Sequence, residues 1–219
     1  MRVTVLELPA RPGAVEAQLR LVEEELSRSP PGELVLLSEA ILTGYLPDPS
    51  PLAERRGGPT EQALASLSQR FRTHVVGPLI ERDGAQVFNA VTAPGLFHYR
   101  KRNPWYVETW AAPGLEPAPV VTVAGRRVTV CICFDVHFLE NVDADVLLFP
   151  SAWVDDAPVD SRGALLPEVA QRFGVTVVNA NWGVGEPRVR GQGGSRVVAA
   201  SGEVLGQMAA GARRLDVEL

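Results

Sequence analysis

The chain is 219 residues long, carries a formal net charge of −5 and is 46% hydrophobic, the profile of an ordinary globular domain and not of a disordered or fibrous chain. No apolar run reaches the roughly 20 residues of a membrane helix, and Met1–Leu6 lacks the basic region and cleavage site of a signal peptide, so a cytoplasmic setting away from membranes is expected. The acidic balance with scattered arginines leaves no footprint for nucleic acid, and Cys131 and Cys133, two positions apart, cannot staple distant segments together.

Val3–Leu8 reads as a strand, and Val15, Leu19, Val22 and Leu26 then recur on one face of a helix. Glu33–Ser38 is a near-continuous apolar run, the pattern of a strand covered on both faces, with Glu39 at its carboxyl end. A Pro/Gly-rich loop over 46–59 leads to a second helix with Leu64, Leu67 and Phe71 on one stripe, and then to a strand over His74–Ile80. From there turn pairs punctuate short strands: Asp83-Gly84, Pro94-Gly95, Ala124-Gly125 and Ser201-Gly202 predict hairpins. Between them lie the buried runs Val128–Cys133 and Asp145–Phe149, a helix with Leu166, Val169 and Phe173 in register, and a strand over Gly174–Asn181. Pro167 suits a first turn, which predicts that this helix begins near Leu166. Helices flanking many strands, with no linker or repeat, predict one α/β domain over 1–219, two sheets face to face with helices outside.

Of the 21 basic residues 20 are arginine, and the one lysine is Lys101. On a solvated face the two are nearly exchangeable, so a lysine that survives this bias either marks a position where only an ammonium serves or is a chance survivor. Glu39, Lys101 and Cys133 each end a predicted strand, the edge where α/β sheets bind ligands. A thiol nucleophile, a carboxylate able to take and return a proton, and a cation for a developing oxyanion make a complete acyl-transfer set. Taken singly, Glu39 reads as a solvated strand end and Cys133 as a small buried hydrophobe. The turn after Cys133 is expected to open a short helix whose amino end lowers the thiol pKa, while Cys131, one step deeper, is expected to be buried and inert. His137 with the two cysteines is an incomplete ligand set, so neither a metal nor another cofactor is expected. GQGGS (191–195) reads as a hairpin loop, and Trp153 and Trp182 as strand-end aromatics, for packing or for a pocket wall.

These segments resemble the nitrilase, or carbon–nitrogen hydrolase, superfamily, whose members use a Glu-Lys-Cys triad. LVLLSEAILTGY (34–45) resembles the segment with the family's base, VFNAVTAPGLFHYRK (87–101) the hairpin ending in its lysine, and VCICFDVHFLE (130–140) its cysteine elbow. FPSAW (149–153), VVNANWG (177–183) and GGSRVVAASGEVL (193–205) resemble its closing segments. The resemblance implies a four-layer αββα sandwich of the nitrilase type. It implies Glu39 as base, Lys101 as oxyanion cation, Cys133 as nucleophile and Glu108 as a second glutamate beside the triad. Phe134 would offer its backbone N–H to the oxyanion, and His137 and Trp153 would face the substrate. It further implies hydrolysis of a non-peptide carbon–nitrogen bond in a small molecule, amides ahead of nitriles, by a homodimer or larger assembly. The alternative is a non-catalytic relative that binds a small ligand or a partner through the same pocket. Ser38, His137 and Leu139 stand where the family usually has Pro, Arg and Pro, and the stretch 155–164 is abridged.

Overall fold

The computed structural model describes residues 1–219. Along the chain run β1 (Arg2–Leu6), α1 (Val15–Arg28), β2 (Leu34–Leu37), α2 (Pro59–Phe71), β3 (His74–Asp83), β4 (Gln86–Ala93), β5 (Phe97–Arg100), β6 (Val121–Val123), β7 (Arg126–Val130), β8 (Val146–Ser151), α3 (Ser161–Phe173), β9 (Thr176–Asn181), β10 (Arg196–Val198), β11 (Val204–Gln207) and β12 (Arg214–Glu218). They form two six-stranded mixed sheets, ordered β12-β1-β2-β3-β4-β5 and β11-β10-β9-β8-β7-β6. Each has a parallel centre, β1-β2-β3 in one and β7-β8-β9 in the other, with antiparallel strands outside. All four turn pairs close hairpins, joining β3 to β4, β4 to β5, β6 to β7 and β10 to β11.

Strand alternation decides the layers. In β1 and β2, Val3, Val5, Leu34 and Leu36 face the other sheet and meet Val128, Val130, Leu148 and Val178, all fully buried. On the opposite face Leu6, Val35 and Leu37 pack against Val22 and Leu26 of α1 and Leu64 and Leu67 of α2. In the second sheet Leu147, Phe149 and Val177 pack against Leu166, Val169 and Ala170 of α3. The order is therefore helix, sheet, sheet, helix, the expected sandwich. Strands covered on both faces explain the unbroken apolar runs, and each such side chain removed from water contributes about 1.5–3 kcal/mol. Gly77 on β3 lets α2 sit close: a Cβ there would lie 2.9 Å from both methyls of Leu64.

One boundary differs from expectation. α3 starts at Ser161, five residues before Leu166, so Pro167 lies inside it. Asp160 supplies the start, its Oδ1 accepting from the Gly163 N–H at 2.8 Å while Arg196 clasps Oδ2 at 2.6 Å. The proline forfeits one bond, to the Gly163 carbonyl, and the helix tolerates this because its buried stripe on β8 and β9 holds it by packing. No helix is long and apolar enough to cross a membrane.

Candidate active site

Glu39, Lys101 and Cys133, far apart in sequence, meet at the carboxyl edge of the parallel strands. Glu39 lies two residues past β2 in a tight turn whose next residue, Ala40, has φ +51°. Lys101 directly follows β5 and extends its pairing, its N–H donating to the Asn89 carbonyl at 2.8 Å. Cys133 begins a 3₁₀ helix over Cys133–Phe138 with φ +44°. Of the four non-glycine residues in the left-handed region, these two lie at this edge, backbone strain of the kind a site holds in place by its surroundings.

The lysine is 1% exposed, and its ammonium donates at 2.7 Å to Glu39 Oε1 and at 2.7 Å to Glu108 Oε2. Burial alone would push this ammonium down, but the charges of Glu39 and Glu108 outweigh it and hold Lys101 protonated. Glu108, also buried, is pushed up by burial and by the like charge of Glu39, against the pull of Lys101. It additionally accepts from the Trp105 N–H at 2.5 Å, fastening the loop after β5. Glu39 Oε2 accepts from the Ala152 N–H at 2.9 Å, just past β8. An ammonium has three hydrogens. Two are committed, and one is left for a ligand.

Two participants were not among the residues expected from the sequence. Asn89, in the middle of β4, donates from Nδ2 to Glu39 Oε1 at 2.8 Å and to Glu108 Oε1 at 2.6 Å, spacing the two carboxylates. Its clue was a polar residue in the otherwise apolar run VFNAVTA, on the strand that pairs with the lysine's own. Asp135, buried inside the elbow, accepts from the Tyr99 hydroxyl at 2.8 Å and the Ile132 N–H at 3.2 Å on Oδ2, and from the Asn103 N–H at 2.8 Å and its amide at 2.9 Å on Oδ1. Tyr99 and Asn103 flank Lys101, and Ile132 precedes Cys133. One carboxylate thus ties the lysine's segment to the cysteine's.

The thiol environment corrects one expectation. Burial and then the negative charge of Glu39 push the Cys133 thiol well above the ordinary thiol range, and Lys101 and a hydrogen bond from the Ala152 N–H only partly offset them. The amino end of the short 3₁₀ turn does not lower this thiol as expected, and the resting group is a thiol beside Glu39. Cys131 is 1% exposed and is also pushed up by burial, as expected of a core thiol.

A cavity of about 150 Å³ opens in front of Cys133, lined by Trp105, Tyr106, Phe134, His137, Ala152, Trp153, Val154 and Asp156. Phe134 lies in the first turn of the 3₁₀ helix, where backbone N–H groups lack intrahelical partners. His137 packs edge-on against Phe134 at 5.3 Å and tilts toward Trp153 at 5.9 Å, and partial burial holds its imidazole below the usual range. Trp153 is fixed by its indole N–H, shared between Asp155 at 3.0 Å and Ser161 at 2.9 Å. Trp182 stands behind this wall as core, its indole donating to the Trp153 carbonyl at 2.9 Å. The GQGGS loop joins β9 to β10 and folds its carbonyls around Arg162 and Asn181.

Residues 2–215 match the carbon-nitrogen hydrolase family. The chain belongs to that family. It is 31% identical over 170 residues to a hydrolase of Pseudomonas protegens encoded in the pqqF 5′ region, a match that covers 69% of this chain and 59% of that protein. The fold superposes with a TM-score of 0.88 on a CN-hydrolase superfamily protein from Xanthomonas campestris that carries an arsenic adduct in its active site, at 20% identity over 99% of this chain and 89% of the other. A cysteine-to-alanine variant of an amidase of the nitrilase superfamily from Nesterenkonia gives a TM-score of 0.87 at 26% identity, over 100% of this chain and 90% of that one. The αββα sandwich expected of the chain is thus the nitrilase fold.

Proposed function

We propose that this carbon–nitrogen hydrolase is a thiol amidase acting on a small amide through a Cys133 thioester. The observation that carries the reading is the buried lysine clamped between Glu39 and Glu108 beside the only thiol that reaches the cavity. The amidase among its structural relatives supports an amide as the substrate.

In this reading Glu39 takes the thiol proton as Cys133 Sγ attacks the amide carbon, which avoids a free thiolate that the site disfavours. Proton transfer of this kind contributes about 10²–10⁴-fold. The carbonyl oxygen, now negative, is met by the uncommitted hydrogen of Lys101 and the Phe134 N–H, each such donor being worth about 3–4 kcal/mol. Glu39 returns its proton to the leaving nitrogen, which departs as ammonia or an amine and leaves the thioester. Water then enters, Glu39 takes its proton, and collapse of the second tetrahedral adduct releases the acid and restores the thiol. Glu108 holds Lys101 in place throughout, and His137 and Trp153 border the acyl group.

The test is ammonia release from a panel of short primary amides, with intact-mass analysis of quenched reactions. Wild type is expected to turn over at least one amide and to carry the acyl mass on the peptide with Cys133; Cys133→Ser is expected to do neither. Undiminished ammonia release by Cys133→Ser would overturn the proposal.

A further inference from the structure

Charge around the cavity is unbalanced. Buried next to Cys133, which lines it, the carboxylates of Glu39 and Glu108 both bond Lys101, two negative charges against one positive. The charge of that ammonium is therefore matched by the protein's own anions, although one of its hydrogens stays free for a ligand oxygen. No other lysine or arginine lines the cavity, and the one charged residue on its wall, Asp156, is a further carboxylate, exposed at the rim. His137 adds no cation at neutral pH, since burial favours its uncharged form.

The walls point the same way. Trp105 and Tyr106, which meet edge to face at 4.8 Å, line it together with Trp153. Aromatic faces attract cations and give a carboxylate nothing in return. A dry cavity of comparable size holds a six-atom ring, so the acyl portion must be short.

We infer that the site selects short amides whose acyl chain ends in an amine, ahead of neutral ones of equal length, that it rejects those ending in a carboxylate, and that Asp156 is a specificity residue setting this order. The inference rests on the amidase reading for its substrate class, but its electrostatic content does not depend on turnover.

Two experiments separate the two claims. Methanethiosulfonates of matched size, aminoethyl (cationic), ethyl (neutral) and sulfonatoethyl (anionic), modify a cysteine by forming a disulfide as sulfinate leaves. Their rates at Cys133 are read by intact mass and peptide mapping, each divided by its rate with a simple thiol. The expected order is cationic, neutral, anionic, with about a tenfold step per unit of charge, compressed in high salt and about several-fold smaller in Asp156→Asn. An anionic rate equal to or above the cationic one, or a ratio unmoved by Asp156→Asn, would overturn the charge preference. The second experiment compares kcat/KM for γ-aminobutyramide, butyramide and succinamate, expected to fall in that order. Succinamate turned over as well as γ-aminobutyramide would overturn the selectivity and leave the amidase reading standing. Turnover of none of these, or of any other short amide, with the reagent order intact, would overturn the amidase reading and leave the charge selectivity standing.

Discussion

Asn89 spends both hydrogens of its amide on carboxylates, and its own oxygen, buried, finds no donor. Such an arrangement holds two like charges at a fixed spacing around one ammonium. Asn89→Leu is expected to lower kcat by about 10–100-fold with a smaller effect on KM, because the residue orients catalytic groups without lining the cavity; steady-state kinetics on any accepted amide reads the split. A second expectation follows from the electrostatics of Cys133. Since Glu39 pushes the thiol up and Lys101 pulls it down, Glu39→Gln should shift the thiolate absorbance titration to lower pH while turnover is lost. Under the proposed mechanism the same substitution raises the population of the nucleophilic form and removes the base. A midpoint unchanged or moved upward would show that the carboxylate does not act on the sulfur. Three residues of the site were legible in the sequence because each broke a pattern, a lysine amid arginines, a glutamate at a strand end and a cysteine before a turn, whereas Glu108 entered only through the family resemblance. Asn89 and Asp135 were not, because an amide or carboxylate acting through hydrogen bonds shows its partners only once strands are paired.

At the scale of elements, the elbow and the end of β5 behave as one piece, joined at Asp135. Burial pushes this carboxyl up while donors from Asn103 and Tyr99 pull it back. Asp135→Asn keeps the shape but points an NH₂ at groups that donate. It is expected to cost about 1–3 kcal/mol of stability, and activity beyond what the stability loss explains. Denaturant unfolding followed beside kinetics, both well below the midpoint, checks this; full activity in a destabilised variant would make the residue merely structural. The start of α3 shows where local reading stops. Pro167 is a sound marker of a helix's first turn, yet a cap at Asp160 and a buried stripe outweighed it. Asp160 is half of an ion pair with Arg196, which lies on another element, so the boundary depended on a contact no window of sequence contains.

The two sheets were legible at the scale of the molecule because their central strands are apolar on both faces and their hairpins carry turn pairs. What was hidden is the polar pairing at the sheet margins. Glu81 on β3 is fully buried beneath Arg100, bonded at 2.5 and 3.1 Å, with His98 Nε2 at 2.7 Å. Burial would raise its pKa, but these partners outweigh it and hold it down at about 2, against 4.5 for a free side chain. A depressed carboxylate contributes stability above the unfolded value and loses it as pH falls toward the folded one, here on the order of 3 kcal/mol between neutrality and pH 2. Denaturation midpoints measured from pH 7 downward should therefore drop more steeply in wild type below pH 4.5 than in Glu81→Gln, which is less stable at neutral pH. Parallel curves for the two proteins would remove Glu81 from the acid response.

The solitary lysine has a practical corollary. Apart from the amino terminus, the molecule exposes no primary amine, so an activated ester has one side chain to find and finds it only when the buried Glu39–Lys101–Glu108 cluster opens. The acylation rate of Lys101 in native buffer thus becomes a clock for the breathing of that cluster, one that an occupant of the adjoining cavity should slow.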